Sequence, residues 1–269
     1  VIGTQGTLLY TVDGGATWSL QKTGTVDTLW RIFFHDDQNG WITKDNGEFL
    51  RTVDGGKTWT IHKTGLTNRE LSDIYFADPM KGWAVTGTPV GRAYIIGTED
   101  GGEQWSTNTE GTDTGHTIER LQFVDEQRGY AMEPYQIMYI TSDGGKTWKQ
   151  ENISAKERLT DMFFAKADLG WVVGDSGVIL HTDDGGAKWI AQNSGIRQSL
   201  SSIHFVNSET GWIAGEMGTI LHTSDGGRTW EVQIQGDGYS LRKGYFLNAS
   251  EGWAVGGGGV VLHTRDGGK

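Results

Sequence analysis

The chain contains no cysteine among its 269 residues, so neither a disulfide nor a thiolate metal site can hold it together. That absence fits a chain living outside the cytoplasm without disulfides. Proline is almost missing as well, with only Pro79, Pro89 and Pro134. No stretch approaches the ~18 consecutive apolar residues of a membrane-spanning helix, so none is expected. Basic residues are in the minority, 23 Lys and Arg against 34 Asp and Glu, for a net charge of −11. A free nucleic acid partner wants a basic stripe, so none is expected here. No Gly-x-Ser-x-Gly nucleophile motif occurs. The Gly256–Gly259 run has no Lys-Ser/Thr after it to make a phosphate loop, and is expected to be a strand-to-strand turn. No secretory signal is visible. An extracytoplasmic location is expected, with the targeting segment outside the given sequence.

What is abundant is glycine, 42 residues, about twice the usual ~7% share. The triplet Asp-Gly-Gly recurs at Asp13, Asp54, Asp100, Asp143, Asp184, Asp225 and Asp266, at spacings of 41 to 46 residues. Six copies lead into a tryptophan: Trp18, Trp59, Trp105, Trp148, Trp189 and Trp230. A Gly-aromatic pair recurs with them, as in Gly82-Trp83 and Gly211-Trp212, and so does an apolar run ending in Phe34, Phe76, Phe123, Phe164, Phe205 or Phe246. A fixed period of this length means an array of one small unit.

Residues 200–230 show the unit: LSSIHF, GWIAG, TILHT and SDGGRTW. These are short Ile-, Val-, Thr- and aromatic-rich runs parted by turn residues, hence four strands, named A to D in order. Four strands per ~40 residues is the β-propeller pattern. Asp-Gly-Gly then sits in the C–D turn, where glycine supplies positive φ and Asp bonds its own turn. The repeated Asp and Trp residues are therefore assigned to structure. A calcium loop is the rival reading, but Asp183-Asp184-Gly185-Gly186, the nearest approach, lacks the alternating oxygen ligands. Residues 1–11 (VIGTQGTLLYT) align with 254–264 (AVGGGGVVLHT). The chain is expected to start inside a strand B and to stop after an Asp-Gly-Gly turn. The expected fold is a single all-β domain, 1–269: a seven-bladed propeller with partial blades 1–22 and 241–269 around full blades at about 29–64, 70–108, 118–152, 159–194 and 200–235. A six-bladed ring is the alternative.

Function is sought where the repeats differ. Seventeen residues part Trp83 from Asp100, where the other blades have 13, placing an insertion in the B–C loop around Thr86–Ala93. A second excess lies in the D–A linker, 108–117. Both loops belong to the face opposite the Asp-Gly-Gly turns, and variable loops on a rigid scaffold are where binding concentrates. Strand A lines the channel of a propeller and starts at that same face. Arg31, Arg69, Arg120, Arg158, Arg197 and Arg242 each lie within three residues of a strand A start. With Arg92 they form a candidate carboxylate-binding rim. Solvated loop charges beside Glu70, Glu119 and Glu157 are the plainer alternative. Trp30, the tryptophan outside the repeat columns, is a candidate docking aromatic, with burial as its alternative. Asp73, Glu119, Glu133 and Asp161 are the carboxylates near that face. His181, His222 and His263 share one strand C column on different blades and are assigned to packing. No cofactor or metal is expected, and a monomer is.

The turns TVDGGATW, TVDGGKTW, TSDGGKTW and TSDGGRTW resemble the Asp-box, or bacterial neuraminidase repeat; Gln104 and Lys188 depart from its threonine. Joined to GWAVG-type strands and ILHT, the unit is similar over essentially the whole chain to the photosystem II stability/assembly factor family and its bacterial relatives. That resemblance implies a lumenal or periplasmic seven-bladed scaffold, non-catalytic, with an arginine-rich patch that binds newly made reaction-centre subunits. The implied partner is an acidic or carboxylate-rich segment of a membrane-complex subunit. An Asp-box glycoside hydrolase or carbohydrate-binding propeller is the competing class. Sialidases carry Arg-Ile-Pro, whereas Arg31-Ile32 is followed here by Phe33.

Overall fold

A computed structural model of the chain describes residues 1–87, 93–110, 117–236 and 238–269. Arg92 and most of the two insertions, Thr86–Ala93 and 108–117, lie outside them. The fold is an all-β propeller type built from small antiparallel sheets. Five sheets have all four strands in sequence order. They are β3 (Leu29–Phe34) to β6 (Thr60–Lys63), β7 (Glu70–Phe76) to β10 (Ser106–Glu110), β11 (Arg120–Phe123) to β14 (Lys149–Asn152), β15 (Leu159–Lys166) to β18 (Ile190–Gln192), and β19 (Leu200–Phe205) to β22 (Glu231–Ile234). The last sheet has three strands, β23 (Leu241–Phe246), β24 (Gly252–Gly256) and β25 (Val261–Thr264). Among the described residues no helix is long and apolar enough to cross a membrane.

The expectation of seven blades is corrected to six. Among the described residues strand A forms six times, at β3, β7, β11, β15, β19 and β23. Residues 1–22 supply only β1 (Leu9–Tyr10) and β2 (Ser19–Leu20), paired with each other, and one bridge, Ile2 to Leu8. With no strand A of its own, that ribbon is too small to count as a blade. Contacts along the chain group it into two compact units, Val1–Glu133 with Tyr139–Gln150, and Pro134–Met138 with Glu151–Lys269.

The Asp-Gly-Gly turns share one hydrogen-bond pattern. The threonine two residues before the Asp donates to Asp Oδ1 at 2.7–2.9 Å and accepts from the second glycine N–H at 2.8–3.0 Å. Both glycines take positive φ, 74° and 81° at Gly55 and Gly56, where a side chain would be strained. The turn tryptophan folds back, as where Trp59 Nε1 donates to the Gly56 carbonyl at 3.2 Å.

Three aromatic columns meet between blades. The Trp of strand B stacks on the Phe of the next strand A. Trp41–Phe76, Trp171–Phe205 and Trp212–Phe246 have centroids 3.8 Å apart, and Trp83–Phe123 4.1 Å. The Asp-box Trp meets the same Phe edge-on, at 5.9 Å for Trp230 and Phe205. Glycine precedes the strand B aromatic because the Phe ring of its own blade lies against it: a Cβ on Gly211 would come 2.6 Å from Phe205. The strand C histidines pack against the same tryptophans, His181 on Trp171, His222 on Trp212 and His263 on Trp253. Among the described residues no His, Cys, Asp and Glu cluster could hold a metal ion.

Candidate functional site

Strand A carries Trp30, Arg31, Asp73, Arg120, Asp161 and Arg242, and in five blades a β-bulge redirects one strand A side chain. The register slips just before Arg31, Asp73, Asp161, Ser202 and Lys243. Such a slip kinks the strand and redirects the next side chain. All five lie three residues before the strand A Phe, and Arg120 takes the same place in β11. Arg31 and Arg120 therefore share a register place, although the arginines as a set do not.

In the first unit, Arg31 Nε lies 3.8 Å from Asp73 Oδ2. The same carboxylate oxygen accepts the Leu121 backbone N–H at 3.1 Å, next to Arg120, and Asp73 Oδ1 accepts the Ile74 N–H at 2.9 Å. Arg120 Nη1 donates to the Glu119 carbonyl at 2.8 Å. Arg69 lies just before β7 with its guanidinium 4.6 Å over the Tyr94 ring, a cation–π contact. Trp30 is 47% exposed, so its burial alternative is set aside. Its indole N–H donates to Asp45 Oδ1 at 2.8 Å, which fixes the ring's orientation. Burial raises the Glu70 carboxyl above its usual range, and the charges of Asp45 and Glu119 push the same way.

In the second unit, Asp161 is buried and accepts from Lys243 Nζ at 2.8 Å and from the Ile203 N–H at 3.1 Å. His204 Nδ1 accepts the Phe246 N–H at 3.3 Å, and the ring packs between Phe163 and Tyr245. Burial, helped by the nearby Lys243 charge, lowers His204 to about 4, so it is neutral near pH 7. Arg158 is half-buried just before β15, and its carbonyl accepts the Asp175 N–H at 2.9 Å. Arg197 and Arg242 are exposed, Arg197 in the turn before β19 and Arg242 on β23.

Of the four carboxylates near the insertion face, Asp73, Glu133 and Asp161 are held by partners. Asp73 and Asp161 have the contacts above, and the buried Glu133 accepts the Tyr139 hydroxyl at 2.8 Å. Sequence reasoning missed Lys243, Ser202 and the bulge place they share with Arg31. Counting back three residues from each strand A Phe would have found them.

A structure described as YCF48 bound to D1 peptide has 22% identity to this chain, covers 98% of it and 88% of its own length, and superposes with a TM-score of 0.79. YCF48 from Cyanidioschyzon merolae has 22% identity over 98% of this chain and 90% of its own, with a TM-score of 0.80. A GH74 enzyme of Niastella koreensis shares the fold at 14% identity and TM-score 0.72, over 88% of this chain but 45% of its own. No curated protein matches the chain. The family model for photosynthesis system II assembly factor YCF48 matches residues 21–107, 64–156, 108–195 and 188–269 in overlapping copies. The chain belongs to that family.

Proposed function

We propose that this chain is a non-catalytic binding scaffold, an assembly or stability factor for a membrane protein complex of the photosystem II kind. The observation that carries this is the family match spanning residues 21–269. The D1 peptide bound to a relative of similar fold supports a protein partner. On this reading residues 1–269 form one monomeric domain in the thylakoid lumen or periplasm. The partner is a carboxylate-rich segment of a membrane-complex subunit. Arg31, Arg69, Arg92, Arg120, Arg158, Arg197 and Arg242 supply the charge, with Trp30 as an apolar contact beside Arg31.

Chemistry favours binding over turnover. Guanidinium groups match carboxylates in geometry and cannot lose their charge. A glycosidase needs two carboxyl groups about 5–9.5 Å apart flanking the bond, one of them protonated. Asp73 and Asp161 are instead engaged by Arg31, at 3.8 Å, and by Lys243, at 2.8 Å. Capture of a carboxylate-rich peptide from a reaction-centre subunit, weakened by replacing exposed arginines, tests the reading. A glycoside screen tests the other class. The expected result is no hydrolysis. Hydrolysis abolished by replacing one of Asp73, Glu119, Glu133 or Asp161 would reverse the assignment.

A further inference from the structure

One B–C turn departs from the repeat. The other described B–C turns end on a glycine at positive φ, 64° at Gly6, 67° at Gly47, 74° at Gly177, 68° at Gly218 and 77° at Gly259. That glycine lies against the linker that follows its own blade. A Cβ on Gly6, Gly47 or Gly177 would run into the carbonyl of Thr25, Leu66 or Ile196. Between β12 (Gly129–Met132) and β13 (Ile137–Thr141) the same place belongs to Gln136, at φ 74°. A residue with a side chain is uncommon there, and such outliers gather where a surface is used.

The turn is tied down on both sides. Gln136 Nε2 donates to the Ala155 carbonyl, and the Gln136 carbonyl accepts the Ile153 N–H at 2.6 Å. Pro134 is buried with φ fixed by its ring, and its carbonyl accepts the Leu159 N–H at 2.8 Å. Tyr135 stands between these two anchored residues and is 48% exposed. It is the one aromatic residue at a B–C turn among the described residues. Arg158, half-buried, precedes Leu159, so Tyr135 and Arg158 are each one residue from the same hydrogen bond. Turn and arginine belong to one compact unit, the second. A ring held on a stiff base loses little freedom when it is covered, and tyrosine is a frequent anchor of interfaces. An aromatic face near a guanidinium suits an apolar side chain next to a carboxylate: the first packs on the ring and the second meets the cation.

We propose that Tyr135 and Arg158 form a two-part subsite that reads an apolar side chain flanked by carboxylates in an extended peptide. The subsite rests on the binding-scaffold reading and sharpens it. Charge alone accepts any acidic segment, and Tyr135 adds a choice among acidic segments. The share of binding due to Tyr135 is insensitive to salt, whereas the share due to Arg158 is screened.

The test titrates the 269-residue chain with two labelled, acetylated and amidated peptides of alternating glutamate and glycine, one with leucine and one with glycine at its centre. Fluorescence anisotropy gives the affinities. Wild type should prefer the leucine peptide roughly tenfold, the scale of one anchor contact. That ratio should hold as salt rises while both affinities fall. Tyr135→Ala should bind the two peptides alike, and Tyr135→Phe should keep the preference, because the ring supplies the contact. Arg158→Gln should weaken both peptides by a similar factor and leave the ratio. Circular dichroism checks that each variant is folded. Should Tyr135→Ala not be, NMR of the wild-type chain with labelled tyrosine rings decides, with Tyr135→Phe assigning the signal: the leucine peptide should shift the Tyr135 resonances more than the glycine peptide does. Equal affinity of wild type for the two peptides, an unchanged ratio in folded Tyr135→Ala, loss of the preference in Tyr135→Phe, or unaltered binding by Arg158→Gln would each overturn the subsite and leave the scaffold reading standing. Binding of neither acidic peptide at millimolar concentration would overturn both.

Discussion

The Asp-box aspartates do their work as anions. Their Oδ1 atoms accept the backbone N–H four residues on at 2.9–3.0 Å, at Thr17, Thr58, Gln104, Thr147, Lys188 and Thr229. Where that residue is threonine its hydroxyl also donates to Oδ2, at 2.6–2.7 Å. Bonds to the charged form hold it charged. The side-chain bond from the threonine is the largest cause lowering Asp54, Asp143 and Asp225 to about 2. At Asp100 and Asp184, where Gln104 and Lys188 replace the threonine, the backbone N–H leads instead and the carboxyl is still lowered. Folded values below the unfolded ones place the stabilisation above the unfolded carboxylate pKa of ~3.9. It is lost as pH falls through the folded values near 2. Urea midpoints measured from pH 5 to pH 2 should fall steadily, and Asp54→Asn should flatten that fall while lowering stability at pH 7. A slope unchanged by Asp54→Asn would mean that its turn gains nothing from the charge. Lys188→Thr should restore the missing bond and raise the thermal midpoint.

At the scale of the blade, Phe76, Phe123 and Phe205 each receive a stacked ring, an edge-on ring and a glycine backbone. Phe205 is 3% exposed and meets Trp171 and Trp230 in this way. Phe205→Ala should cost about 3–5 kcal/mol, the usual range for emptying such a site. Phe34→Ala should cost distinctly less, because water already reaches 41% of that residue. Chemical denaturation of the two variants checks the order. Gly211→Ala should cost about 1–3 kcal/mol, since its Cβ would lie 2.6 Å from the Phe205 ring and force a shift. These columns were legible in the sequence because each is a contact repeated once per blade, so packing leaves a periodic trace. The turns were legible because glycine at positive φ and a Thr-x-Asp bond pattern leave few other residues possible. Blade number was less legible. Seven Asp-Gly-Gly turns follow seven strands C, but a blade also needs a strand A, and only six runs ending in Phe supply one. The bulge place of Arg31, Asp73 and Lys243 was hidden for another reason. A bulge is a one-residue slip in pairing, and several residue types fill it, so no single letter repeats.

For the whole molecule, charge decides how a partner is met. The chain carries a net −11, so an acidic partner is repelled on average and must be drawn to local positive groups. Not all the arginines are equal in that task. Arg31 is drawn to Asp73, which offsets part of its field, and Arg69 lies over Tyr94. Arg197 and Arg242 are exposed, and Arg242 adjoins Lys243. They are the better test of the proposed binding, because little packing is lost with them. The double variant Arg197→Ala with Arg242→Ala should keep the wild-type thermal midpoint. It should bind a carboxylate-rich subunit peptide roughly tenfold more weakly at low salt, chiefly through slower association. Raising salt should weaken wild-type binding more steeply than that of the variant, since screening acts on the charges the variant lacks. At 0.15 M the screening length is about 8 Å, so the two affinities should converge near 1 M, where it is about 3 Å. Surface plasmon resonance at several salt concentrations measures both the affinities and the association rates. Parallel salt slopes for the two proteins would show that Arg197 and Arg242 are ordinary solvated charges and that the carboxylate site lies elsewhere.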